Sequence, residues 1–296
     1  MSSSPSAELT TAVDALVAPR RRYLLSRLLE CERERAPSER RSLEALATAV
    51  AAMEHGSEIV TDEQVDRVQL TLVHAHIPRL VDAGLVAQHD DGDATTLSLG
   101  DHPRLDADWV QSLLADPTAE AAPIDEATVN RTLEAFRSPR RRAVCAVLVR
   151  WRGTVSVDDL AAMVVARTGG DGMGLVDVTE SACAAVATSL VHEHLPVLSA
   201  AGLVEYDAAT RQVTRVTDAP QWQADWVADG PLAAVGDVLR QEHPRDEPAD
   251  ADSVPAETPV DVTVTTAPIG DETADDEASA TEEQLFWTLA RPPAGR

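Results

Sequence analysis

Apolar residues recur along most of this chain at the three- and four-residue spacing of one helix face, broken by short alternating stretches. Leu9, Val13, Leu16 and Val17 form the first such stripe. Pro19 then restarts the chain into a second helical run, Arg20 to Leu29. Ser42 stands where it caps a third, Leu43 to Met53. A longer helical pattern runs from about Asp62 to Ala83 and stops at Gly84, where a left-handed cap is wanted. Leu85 to Gln88 and Thr95 to Leu99, separated by Asp90-Asp91-Gly92-Asp93, read as a β-hairpin. A closing helix carries Asp108-Trp109-Val110, its indole expected to seal the core edge.

The series then begins again. Val129 to Phe136 is helical, Ser138 and Pro139 open the helix Arg140 to Leu148, and Ser156 caps another to Val165. A helix from about Val178 ends at Gly202, Leu203 to Tyr206 and Gln212 to Val216 form the hairpin, and Asp225-Trp226-Val227 closes the copy. The alignment is plainest in one stretch. Leu72 to Val86 returns 118 residues downstream as Leu190 to Val204, both reading L-V-H-x-H-[IL]-P-x-L-x-x-A-G-L-V. A period that long marks a duplicated domain, not a solenoid repeat. The expected organisation is a disordered start (1–8), domain 1 (9–116), a linker (117–127) and domain 2 with an extra C-terminal helix (128–243). An acidic disordered tail (244–281) and a short helix or docking peptide (282–296) follow.

Helix, helix, longer helix, hairpin is the order of a winged helix-turn-helix domain. The expected fold class is mainly α with small β-hairpin wings: tandem winged helix-turn-helix domains followed by the tail. The R-R-R opening and the H-x-H-[LI]-P-x-L-x-x-A-G-[LV] signature also resemble an uncharacterised haloarchaeal winged-helix-like domain family. The resemblance covers roughly 9–116 and 128–228. It implies fold and lineage, and function only by analogy with winged-helix regulators.

Charge fits that lineage. There are 50 acidic residues against 25 basic ones, every basic residue is Arg, and the formal net charge is −25. Such an excess keeps a protein hydrated where salt screens other charges, as in halophiles, although a GC-rich genome alone gives a similar composition. From Asp246 to Glu283 the chain holds thirteen acidic residues and no basic one, so that segment is expected not to fold. Beyond it, Leu285, Phe286 and Trp287 are candidates for partner contact. Three cysteines without a C-x-x-C pair suggest neither disulfides nor zinc, and Cys145 and Cys183 are expected to pack as small hydrophobes. With no leader and no long apolar run, a cytoplasmic location without membrane contact is expected.

The candidate chemistry lies in the arginines and the signature helix. Arg20, Arg21 and Arg22, like Arg140 to Arg142, fall in the first turn of a helix, where each exposed cation costs roughly 0.3–1 kcal/mol. Either a phosphate backbone or acidic side chains of the same domain must explain them, and in so acidic a chain the structural reading is slightly favoured. On a helical wheel Val65, Val68, Leu72, His76 and Leu80 share one stripe, as do Cys183, Val186, Leu190, His194 and Leu198. His76 and His194 therefore belong to the core, hydrogen-bonded to backbone, while His74 and His192 face away. Histidines on opposite faces do not chelate one metal. Pro78 removes the hydrogen bond to the His74 carbonyl and should kink the helix.

No nucleophile, zinc or Walker motif is present, so an enzyme and a cofactor are not expected. The leading expectation is DNA-linked transcriptional regulation. Arg67, Thr71 and His74 of domain 1 would read the major groove, with Arg20 to Arg22 on the backbone and the acidic wing Asp90–Asp93 held off. Domain 2 has Ala185, Ser189 and His192 at those positions and no arginine from Val176 to Ala201. That composition suits protein contact through Ser189 and His192, with a second copy of the chain or another regulator. The alternative is an interaction or dimerisation module of winged-helix shape that binds no nucleic acid. Arginines 20–22 tied up by carboxylates of their own domain would favour it.

Overall fold

A computed structural model describes residues 5–36, 41–90, 95–101, 105–115, 124–169 and 179–242. The first copy runs α1 (Pro5–Leu16), α2 (Pro19–Arg33), α3 (Leu43–His55), α4 (Asp62–Thr71), a π-turn (Leu72–His76) and α5 (Ile77–Asp82). The strands β1 (Val86–Asp90) and β2 (Thr95–Leu99) and the helix α6 (Asp108–Ala115) complete it. Helix α1 starts at Pro5, inside the stretch expected to be disordered. The second copy repeats this order with α7 (Glu126–Phe136), α8 (Pro139–Arg150), β3 (Val155–Ser156), α9 (Val157–Thr168) and α10 (Glu180–Ser189). A second π-turn (Leu190–His194), α11 (Leu195–Ala200), β4 (Val204–Asp207) and β5 (Gln212–Arg215) follow. After two short 3₁₀ turns and α12 (Asp225–Ala228), α13 (Gly236–Glu242) is the extra C-terminal helix. The fold is mainly helical with small antiparallel strand pairs.

Local chemistry sets the boundaries. Ser42, Thr61, Asp125, Ser138, Ser156 and Thr179 each cap a helix by accepting a backbone N–H, and Thr61 with Gln64 forms a reciprocal capping box. Gly84 and Gly202 adopt φ of 70° and 72°. The Leu85 N–H then reaches the Leu80 carbonyl, and the Leu203 N–H that of Leu198. These bonds close both signature helices with the same left-handed motif. The hairpins keep one register: Val86 faces Leu99 in the first copy and Val204 faces Arg215 in the second. Ahead of the third helical segment, β3 adds a third strand beside β5, and an isolated bridge from Ser42 to Thr96 does so in the first copy.

The kink takes a definite form. Pro78 and Pro196 have no N–H for the carbonyls of His74 and His192, so each helix widens ahead of the ring. The N–H of Ile77 bonds to the Leu72 carbonyl, five residues back, and Leu195 does the same with Leu190. The long helix expected from the sequence is therefore two α-segments joined by a π-turn in both copies. The turn carries the two histidines of the signature.

The described residues of both copies fall within one compact unit. Helix α1 packs on α7, α6 on α12, and a single apolar core runs through both copies. Trp226 is buried, as expected; Trp222, which the pattern did not single out, is buried too. Trp109 crosses to the second copy, where a Cβ on Gly230 would come within 2.6 Å of its ring. The glycine-rich loop from 170 onward, most of the first wing tip (91–94), and everything from 243, including Leu285, Phe286 and Trp287, lie outside the described residues.

Candidate functional site

The arginine triplets have one arrangement, used twice. Arg21 donates from Nε to the carbonyl of Ala15 and from Nη2 to that of Asp14; Arg141 does the same to Ala135 and Glu134. Arg22 donates to the carbonyls of Leu16 and Val17, and Arg142 to those of Phe136 and Arg137. Four arginines thus cover the last carbonyls of α1 and α7, the helix ends at which positive charge is favoured. This resolves the misplaced charge: the guanidiniums reach back to the C-terminus of the preceding helix. Burial lowers the pKa of all four, and that of Arg22 is partly restored by Glu126.

The third arginine of each triplet also spans the copies. Arg22 Nη2 donates to Asn130 of α7, and Arg142 Nη2 to Thr10 of α1 at 2.7 Å. Thr10 and Asn130 stand at equivalent positions, nine before the helix-opening proline of their copy. The contact is therefore reciprocal, as in an isologous dimer interface. Tyr23 donates to Glu126, and Asp14 pairs with Arg137 at 2.6 Å, across the same junction.

Arg20 and Arg140 go elsewhere. Arg20 binds both oxygens of Glu54 and donates to the Thr71 hydroxyl, and Arg140 donates to the Ser189 hydroxyl at 3.0 Å. Thr71 and Ser189 each bond in turn to a carbonyl in their own helix, so both hydroxyls brace the residue before the π-turn. Arg20, Arg21, Arg22 and Thr71, expected on DNA, are thus occupied within the molecule. Arg21 and Arg22 are 4% and 3% exposed, and Arg20 and Thr71 are engaged with each other. Ser189, expected to face a partner, is likewise half-buried and occupied.

Arg67, His74 and His192 remain at the surface. Arg67 pairs with Glu63 one turn earlier on its own helix. His194 is buried and His76 half-buried, but the Nδ1 atoms of both lack a partner, so the expected backbone bond at that atom is absent. Burial, followed by the neighbouring arginines, pushes both histidines below the usual imidazole pKa and keeps them neutral.

Around this helix the first copy exposes apolar surface that no spacing rule revealed. Leu70 is 60% exposed, Ile59 just ahead of the helix is 88% exposed, and Val73, Val81 and Met53 are also open. In the second copy Thr188 and Ser199 replace Leu70 and Val81. The missed signal was Leu70 itself, an apolar residue opposite the core stripe. Among the described residues no group of three His, Cys, Asp or Glu side chains is placed to hold a metal, and no helix is long and apolar enough to cross a membrane.

No curated protein and no solved structure matches the chain. A family model does, once over residues 13–96 and again over 133–214, more than half of the sequence and in register with the two copies. The chain accordingly belongs to the family described as a domain of unknown function, DUF7344, and carries that domain twice in tandem.

Proposed function

We propose that this protein is a non-enzymatic interaction module built from two fused winged-helix domains, and that the signature helix of the first copy, α4 with its π-turn, docks a protein partner. The observation that carries this reading is the pairing of Leu70 and Val73 as exposed apolar residues one turn apart. Apolar anchors at that spacing are what a partner helix or strand engages. The arginines that would have gripped a phosphate backbone are engaged inside the molecule, Arg20 by the Glu54 carboxylate and Arg21 and Arg22 by backbone carbonyls, which supports an interaction role over nucleic acid. Asp62, Glu63 and Asp66 on the same helix further disfavour a polyanion.

A DNA role has one observation on its side. Arg67, His74 and Arg79 are exposed on the segment that enters the major groove in winged-helix regulators. One experiment separates the two. The full chain, a Leu70→Asp/Val73→Asp variant and an Arg67→Ala/His74→Ala variant are compared in molar KCl for self-association, partner capture and retention of genomic DNA fragments. Loss of association only in the first variant, with DNA at background for all three, supports the interaction module. DNA retained by the wild type and lost in the second variant would sink it.

A further inference from the structure

A second feature, independent of the signature helix of the first copy, lies in the second copy. The end of α8, strand β5 and the last turn of α13 line an open cleft of about 710 Å³, within the size range of small-molecule sites. Trp151 lines it and is 45% exposed, the only large aromatic side chain so open among the described residues. Arg152, Asp218 and Gln223 also face the cleft.

Its floor is Arg215, which is 8% exposed. One nitrogen, Nη2, holds Glu242 at 2.7 Å, and the guanidinium carbon lies 6.0 Å from the centre of the Trp222 ring. Nε and Nη1 are buried with no partner. A guanidinium presents a fork to a carboxylate, and here the fork is bound at one prong. The other copy shows that the fold does not require this arrangement. Leu99 occupies the equivalent position, opposite Val86 as Arg215 is opposite Val204. The second copy thus carries a buried cation with two unmatched donors where an apolar side chain suffices.

We infer that this cleft binds a small aromatic carboxylate, its ring against Trp151 and its carboxylate on the fork of Arg215, displacing Glu242. Arg152 adds attraction at the mouth. Asp218, with the displaced Glu242, disfavours a dianion, so a monoanionic carboxylate fits better than a phosphate. Because Glu242 ends α13, ligand entry would shift that helix.

The full chain, ¹⁵N-labelled, is titrated with benzoate and indole-3-acetate while the Trp151 indole N–H resonance, assigned by a Trp151→Ala variant, is followed by NMR. Benzamide, a ring without charge, and acetate, a charge without a ring, are the controls. The expected result is saturable binding of at least one aromatic carboxylate, weakened about tenfold or more in Arg215→Leu and in Arg152→Ala. Arg215→Leu installs the first copy's residue and should fold; Arg152→Ala, at the surface, serves if it does not. No saturable shift up to about 10 mM, equal binding of benzamide, or undiminished binding by both arginine variants would overturn the inference.

Discussion

Replacing Arg22 by Met tests whether the arginine triplet is the joint of the molecule. Met preserves the apolar stem and removes the guanidinium. Three acceptors lose their donor: the carbonyls of Leu16 and Val17, at 2.9 and 3.0 Å, and the Asn130 amide oxygen. A hydrogen bond from a charged donor contributes about 1.5–3 kcal/mol net, and an orphaned buried acceptor costs about 1–3 kcal/mol. Against this, removing a buried cation recovers part of its desolvation cost. The balance is a loss of about 2–4 kcal/mol, read as a lower urea midpoint. Because both copies share one core, unfolding should remain a single transition. A double-mutant cycle with Asn130→Ala isolates the inter-copy bond, with an expected coupling of about 1 kcal/mol. The reciprocal Arg142→Met should behave alike. A change below about 0.5 kcal/mol in both variants, the range of an ordinary surface substitution, would refute a joint made by these arginines.

Other tests are smaller. Both core histidines have depressed pKa values in the folded state, so their stability contribution is complete above the unfolded value of about 6.5 and is lost as pH falls through the folded value. Melting temperature should fall on acidification below about pH 6.5, less steeply in a His76→Gln/His194→Gln variant; identical slopes would count against the histidines. Gly84→Ala forces a side chain into φ of 70° and should cost about 1–2 kcal/mol by thermal melt. The Cys145 thiol is fully buried and pushed up to about 12, so iodoacetamide at pH 8 should label half-buried Cys183 first and Cys145 only on unfolding.

The elements were legible because each carries its own local signal. Caps at Ser42 and Ser156, prolines at 19 and 139, and glycines at 84 and 202 fix boundaries through bonds within a few residues. Pro78 also announced a break, although whether a helix answers a missing N–H by bending or by widening depends on the packing around it. The destinations of the arginines were not legible. Arg22 and Asn130 are 108 positions apart, and periodicity says nothing about a bond at that range. Exposure of Leu70 could have been read from the wheel, since it falls outside the core stripe. The cleft beside Trp151 could not, because it needs α13 folded back against α8, with Glu242 reaching Arg215.

The reciprocal joint gives the molecule a handedness of use that a homodimer lacks. Two identical subunits joined this way would show every surface twice, and would suit a palindrome or any partner with paired sites. Fusion into one chain has freed the halves to diverge: Leu70 on one side answers to Thr188 on the other, and Leu99 to Arg215. Each molecule therefore offers one apolar helix face and one arginine-floored cleft. Its binding should be counted one to one, and a partner that requires twofold presentation would find only half of what it needs.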